Sequence, residues 1–261
     1  MPKPIKNLPP IVLMILDGWG LAPPNKGNAI TLAKTPIMDE LSKKYPKTKI
    51  YAHGKYVGLP EGQDGNSEAG HMNLGAGRIV AQDSVGISQA INTGVFFKNP
   101  AFLTCLDHVK KNNSSLHLMG LLSEEQSAHV DPQHLLALLS LYRQKKVKKI
   151  FLHLFTDGRD SSKFIAVKLV EKLEKFLRPN EQIASITGRF YAMDRKKNWK
   201  NIEKTYDALV MGKAPLFTSP KEAILSAYNK GESDEFAAPS IIVHDIDCKK
   251  SASKKNAAQK H

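Results

Sequence analysis

The feature that most constrains this chain is an alternation of short apolar runs with longer segments of helical period. Residues 11–16 (IVLMIL), 115–121, 149–155 and 182–187 are strand-length runs, with a fainter one at 240–243. The first shows no polar alternation, the mark of a strand buried on both faces. Between the runs, segments 28–44, 132–145, 161–177, 198–211 and 219–229 carry apolar residues at helical spacing, the first interrupted near Pro36. This order predicts an α/β protein with a largely parallel sheet. A glycine-rich stretch within residues 75–83 gives way to new periodic segments and marks a candidate domain boundary. The final CKKSASKKNAAQKH has no core-forming pattern and reads as a loose basic tail.

Composition narrows the class. With 261 residues, 41% hydrophobic and 24% charged, the chain is neither disordered nor a collagen-like or disulfide scaffold. Cys105 and Cys248 lie too far apart in sequence for a metal knuckle. The longest apolar run ends on Asp17 after six residues, far short of the roughly 20 that span a bilayer, so a cytoplasmic protein is expected. The formal charge is +13, and only six of the 38 basic residues are arginine. Lysine-rich usage with a solvated tail accounts for that balance. The alternative is an anionic partner, either nucleic acid or phosphorylated metabolites. No zinc finger or aromatic-interleaved basic motif supports nucleic acid.

Four segments could carry chemistry. Asp17 follows the first apolar run in LDGWG, where an open α/β sheet places its ligands. It could be a hard oxygen ligand for a divalent metal, or simply a cap for the next segment. Ser67 lies among small residues in DGNSEAGHMNLGAGR, at the start of a helical segment. It could be a nucleophile once activated, with helix N–H groups receiving phosphate, or a common N-cap serine. FTDGRD (155–160) and GRFYAMDR (188–195) both follow strand candidates and hold three of the six arginines. Arginine retained where lysine otherwise prevails suggests a need for its planar fork on phosphate or carboxylate. Ion pairs with Asp157, Asp160 and Asp194 are the structural alternative.

Taken together and in this order, the four segments resemble the amino-terminal part of the cofactor-independent phosphoglycerate mutases, alkaline-phosphatase-like metalloenzymes. DGNSEAGH is the most specific of them, and the likeness runs from about residue 11 to DEFAAP, ending at Pro239. The resemblance implies interconversion of 3-phosphoglycerate and 2-phosphoglycerate, in glycolysis and gluconeogenesis, through a phosphoserine intermediate. Ser67 would be the transient phosphoserine and, with Asp17, a ligand to manganese. Two ions occupy the full family site, and one incomplete site would remain here; 2,3-bisphosphoglycerate is not needed. Arg159, Asp160, Arg189 and Arg195 would bind substrate, joined by His129.

The chain departs from the family in two places. The usual Ser-Asp-Gly-Gly-Val-His-Ser-His stretch is replaced by LSEEQSAHVD (122–131), so matching His129 needs a one-residue insertion, and Glu124 and Glu125 would oppose a phosphate. The arginine pair, substrate lysine and later Asp and His ligands of the family do not occur after Pro239; His244-Asp245-Ile246-Asp247 resembles a metal motif only in composition. The expected architecture is therefore α/β in three parts. Residues 1–77 would hold a partial alkaline-phosphatase-like sheet, and 78–243 an inserted, incomplete phosphotransferase domain with a mainly parallel sheet. Residues 244–261 would be the tail. Such a chain would be truncated, frameshifted or one half of a split enzyme, inactive alone, with a separately encoded carboxyl-terminal half as its partner. A non-catalytic phosphoglycerate-binding module is the other reading.

Overall fold

The computed structural model describes residues 9–124, 127 and 129–243, which form two compact units, Met1–Ala52 and His53–His261. The tail from residue 244, with His244, Asp245, Asp247 and Cys248, lies outside the described residues, as does Glu125.

The first unit holds two helices, α1 (Ala29–Leu32) and α2 (Pro36–Lys44). Asn28 caps α1 by accepting from the Thr31 N–H at 3.2 Å. Pro36 then restricts Thr35 to non-helical conformations and opens α2 at the position where its missing N–H costs nothing. The expected helix over 28–44 is thus two. The expectation of a buried strand at 11–16 is not met. Those residues have no strand assignment, and Ile11 is 93% and Leu13 73% exposed. A strand needs neighbours to pair its backbone groups and cover both faces. Among the described residues every strand lies between Leu116 and Ile242, in the other unit.

The second unit begins with α3 (Ser67–Ala76), α4 (Asp83–Asn92) and α5 (Pro100–Lys111). The sheet and its connections follow: β1 (Leu116–Leu122), α6 (Pro132–Gln144), β2 (Ile150–Thr156), α7 (Ala166–Glu174), β3 (Glu181–Gly188) and α8 (Arg189–Ala192). The chain then forms α9 (Trp199–Tyr206), β4 (Leu216–Phe217), α10 (Pro220–Tyr228) and β5 (Ser240–Ile242). The strand order is β1-β2-β3-β5-β4. β1, β2 and β3 run parallel, while β5 is antiparallel to β3. The fold is mixed α/β with a mainly parallel sheet. The faint strand at 240–243 exists, but reversed, and β4 escaped the sequence because two residues leave no periodicity. The helical stretch at 198–211 ends in a π turn, Asp207–Met211.

One face of the sheet makes the core. Leu116, Ile150, Leu152, Leu154, Ile183, Ile186 and Ile242 cluster with Leu106 of α5, Leu139 of α6, Val170 of α7 and Ile224 of α10. Strand alternation sends His117, Met119, Phe151 and His153 to the other face. The register shifts between Leu152 and His153, so that Leu152 faces Ile183 but His153 faces Ser185. The extra residue, Ala184, lets Ile183 and Ile186 both enter the core while Ser185 turns to the opposite face. Among the described residues no helix is long and apolar enough to cross a membrane.

Candidate functional site

The parallel strands deliver their carboxyl ends to one rim, and the charged groups of FTDGRD and GRFYAMDR meet there. Asp157 follows β2 and is 1% exposed. Its Oδ2 accepts the Ser123 hydroxyl from the end of β1. Its Oδ1 accepts from Arg189 Nη1 at 2.6 Å and from the backbone N–H groups of Arg159 and Asp160 at 3.2 and 3.1 Å. The same Nη1 donates to Asp160 Oδ2 at 2.7 Å, and Ser127 Oγ donates to that oxygen at 3.1 Å. One guanidinium nitrogen therefore bridges two carboxylates carried by one loop.

Electrostatics follow from that geometry. Burial alone would raise the Asp157 carboxyl, but the Ser123 hydroxyl, the Arg189 guanidinium and two backbone N–H groups outweigh it and hold it below the usual carboxylate range. Burial would lower Arg189, yet the bonds to Asp160 and Asp157 hold it above its ordinary value.

Two glycines allow the rim to close. Gly158 adopts φ +66°, and a Cβ there would lie 2.6 Å from the Glu235 nitrogen; at Gly188 it would lie 2.4 Å from the Glu235 oxygen. The turn Asp234–Phe236 thus presses onto the ends of β2 and β3. Asp234, fully buried, fixes it there. Its Oδ2 accepts from the N–H groups of Ile165 and Ala166, both at 2.8 Å, and Tyr228 donates to its Oδ1. Burial raises its pKa against those bonds.

The other expected site residues distribute as follows. Arg159 is mostly exposed, its Nη1 4.0 Å from Glu235 Oε1. Arg195 is exposed, and Asp194 accepts from the N–H groups of Lys196 and Asn198 rather than from an arginine. His129 is an exposed turn residue whose N–H donates to Ser127 Oγ at 3.2 Å. Glu124 accepts from the Ser162 N–H at 3.2 Å, which ties it to the 157–162 loop. Asp17 is exposed in the first unit. Ser67 is the exposed first residue of α3, and the cap is its neighbour Asn66, which accepts from the Ala69 N–H at 2.9 Å. Beside Ser127 opens a cavity of about 220 Å³ lined also by Gln63, Ser84 and Asp131. Gln63 Nε2 donates to the Ser127 carbonyl at 3.2 Å, bringing the DGNSEAGH loop to this rim.

Sequence reasoning brought Arg189, Asp160 and Arg159 to one place and foresaw the pairing with Asp157 as an alternative. It missed Ser123, Ser127 and Asp234. Their only signal was position, two serines just after a strand candidate and an aspartate inside DEFAAP.

A family model described as BPG-independent PGAM N-terminus matches residues 87–258. The chain belongs to the BPG-independent phosphoglycerate mutase family. It is 50% identical over 236 residues to 2,3-bisphosphoglycerate-independent phosphoglycerate mutase 1 of Methanosarcina barkeri, covering 89% of this chain and 46% of that protein. It is 45% identical over 238 residues to the Clostridium kluyveri enzyme, covering 90% of this chain and 47% of that one. A solved structure of Leishmania mexicana phosphoglycerate mutase, determined at low cobalt concentration, matches with a TM-score of 0.81 at 31% identity, over 89% of this chain and 44% of that one. The mutase relatives belong to an isomerase family. This chain spans about half the length of the curated relatives it matches.

Proposed function

We propose that this chain is the nucleophile-bearing, substrate-binding half of a cofactor-independent phosphoglycerate mutase of the alkaline-phosphatase-like type, interconverting 3-phosphoglycerate and 2-phosphoglycerate in cytoplasmic glycolysis and gluconeogenesis. The observation that carries the reading is the meeting of Arg189, Asp157 and Asp160 at one strand-end rim, reached by the loop that leads into Ser67. Residues 1–77 would belong to the phosphatase-like domain and 78–243 to the phosphotransferase domain.

On this reading Ser67 Oγ attacks the substrate phosphorus. The serine–phosphate bond forms as the phosphorus–glycerate bond breaks, and the serine proton ends on the departing oxygen. The N-terminus of α3 stabilises the resulting phosphoserine dianion through the positive end of its helix dipole. Arg159, Arg189, Arg195, Asp160 and His129 hold glycerate while it turns and offers its other hydroxyl. Manganese, in this proposal, would neutralise charge on the transferring phosphoryl group, with Asp17 and Ser67 among its oxygen donors. Among the described residues no three His, Cys, Asp or Glu side chains converge, so the residues present do not complete a metal site.

The full reaction therefore needs the remaining length of the family, supplied by a carboxyl-terminal half. The exposed apolar residues 11–16 fit that need, since a further strand or sheet would cover them. The test is a coupled assay on the purified chain, alone and mixed with a separately expressed carboxyl-terminal half, with manganese. Turnover on mixing, abolished by Ser67→Ala, is the expected result. Turnover by the chain alone, or an active Ser67→Ala mixture, would overturn the reading. The incomplete metal site keeps a second reading open, a non-catalytic phosphoglycerate-binding module. Saturable 3-phosphoglycerate binding without turnover under any mixing would favour it.

A further inference from the structure

The segment in which the chain departs from its family, 122–131, supplies a residue that holds both sides of the rim. Ser127 is 3% exposed, and each of its polar atoms is engaged. Its Oγ donates to Asp160 Oδ2 at 3.1 Å and accepts the His129 N–H at 3.2 Å. Its N–H donates to the Glu124 carbonyl at 3.4 Å, and its own carbonyl accepts from Gln63 Nε2 at 3.2 Å. Asp160 and His129 stand among the groups assigned to glycerate, while Gln63 lies four residues before Ser67. The Gln63 end has little slack. Gln63 is 7% exposed; its N–H donates to the Pro60 carbonyl at 3.2 Å, and its carbonyl accepts the Gly54 N–H at 3.0 Å. Asn66, three residues on, caps α3. Four residues of chain reach at most about 14 Å, so fixing Gln63 confines Ser67 to that radius.

We infer that Ser127 is a positioning residue of the site: its hydroxyl orients Asp160 and the His129 turn toward glycerate, and its carbonyl latches the Ser67 loop to the same rim through Gln63. The inference rests on the mutase reading. A serine hydroxyl has one proton to give, and here Asp160 takes it. Arg189 Nη1 donates to the same Oδ2 at 2.7 Å, so the carboxylate cannot turn without breaking a bond to one of two donors. A binding group held in this way is aligned before its ligand arrives. The lone pair that receives the His129 N–H pins the turn that carries that imidazole. The bond from Gln63 is neutral and buried. Breaking it would leave a buried acceptor unsatisfied, which opposes drift of the nucleophile loop away from the rim. Ser127 thus acts through Asp160, His129 and Gln63.

The experiment measures 3-phosphoglycerate binding to the purified full chain by calorimetry, hydrogen exchange across residues 60–70, and turnover after mixing with the carboxyl-terminal half. Ser127→Ala should weaken binding about 10-fold, the low end for a lost hydrogen bond to a charged group. Ser127→Thr keeps the hydroxyl, and the adjoining cavity of about 220 Å³ gives its methyl room, so binding should return to within about 3-fold of wild type. Gln63→Leu should speed exchange across residues 60–70. On mixing it should lower kcat about 10–100-fold with little change in KM, since a misplacement of ~1 Å can cost ~10² in rate. Equal loss in Ser127→Ala and Ser127→Thr, or no loss in either, would overturn the role of the hydroxyl. Unchanged exchange in Gln63→Leu, or a KM raised as much as kcat falls, would overturn the latch. A wild-type mixture without turnover counts against the mutase reading alone, and the binding and exchange measurements then decide the inference. A wild-type chain that does not bind 3-phosphoglycerate overturns both.

Discussion

Replacing Arg189 by methionine should cost substantial stability at the strand-end rim. Methionine keeps the length and apolar stem of the side chain but removes the cation between Asp157 and Asp160. The Asp157 side chain is fully buried and Arg189 is 9% exposed, so the pair is shielded from water. Removing one partner of a buried pair typically costs about 3–5 kcal/mol, because the other charge is left uncompensated. Asp157 still keeps the Ser123 hydroxyl and two backbone N–H groups, which favours the lower end. Asp160 is 29% exposed, so its share is screened to ~0.5–1 kcal/mol. The expected loss is about 3–4 kcal/mol, or ~1–2 M in urea midpoint for a unit of this size. Adding Asp157→Asn removes the stranded charge and should recover part of the loss, giving a coupling of roughly 2 kcal/mol in a double-mutant cycle. Urea unfolding followed by circular dichroism measures all four corners. A single-variant loss under ~1 kcal/mol, or losses that simply add, would refute the argument that this arginine is held by buried charge.

Two further outcomes concern the same rim, and a third the opposite end of β3, where Arg143 pairs with Glu181. Gly158→Ala should lose about 2–5 kcal/mol, combining a left-handed backbone cost of ~1–2 with overpacking of ~1–3, whereas Gly231→Ala, at φ +78° with nothing near its Cβ, should lose only the first part in thermal melts. Asp234→Ala strands the N–H groups of Ile165 and Ala166 and should cost about 3 kcal/mol while speeding hydrogen exchange at Ala166; unchanged exchange would contradict the cap. Burial would raise Glu181, but the Arg143 guanidinium together with the Arg178 N–H and charge outweighs it and holds the carboxyl low. Asp157 is likewise low, so both contribute stability above the unfolded carboxylate range near ~4 that is lost as pH falls through their folded values. Asp234, raised by burial, works in the opposite direction, its share being lost as pH rises. Arg143→Met should therefore flatten the acid limb of the urea midpoint against pH, and an unaltered slope would count against that account.

The sequence by itself determined the α/β class, the three parallel strands and the segments that meet at their carboxyl ends. Strand-length runs and helical periods are local signals, and strand polarity in a parallel sheet sends every strand end to one rim. Pro36 splitting the first helical segment was legible for the same reason, since proline acts on its own neighbours. Tertiary structure decided what depends on partners distant in the chain. Residues 11–16 have the composition of a buried strand, yet burial is a property of neighbours, and the described residues hold no strand to pair with them. Arg189 reads as an anion-gripping fork until two aspartates one loop away claim one of its nitrogens. Asp234 caps a helix some seventy residues upstream, a contact that no local pattern encodes. The extra residue at Ala184 moves Ser185 from the face of Ile183 to that of His153. In a strand of period two, a single inserted residue reverses which side chains meet, and only the pairing of the folded sheet reveals it.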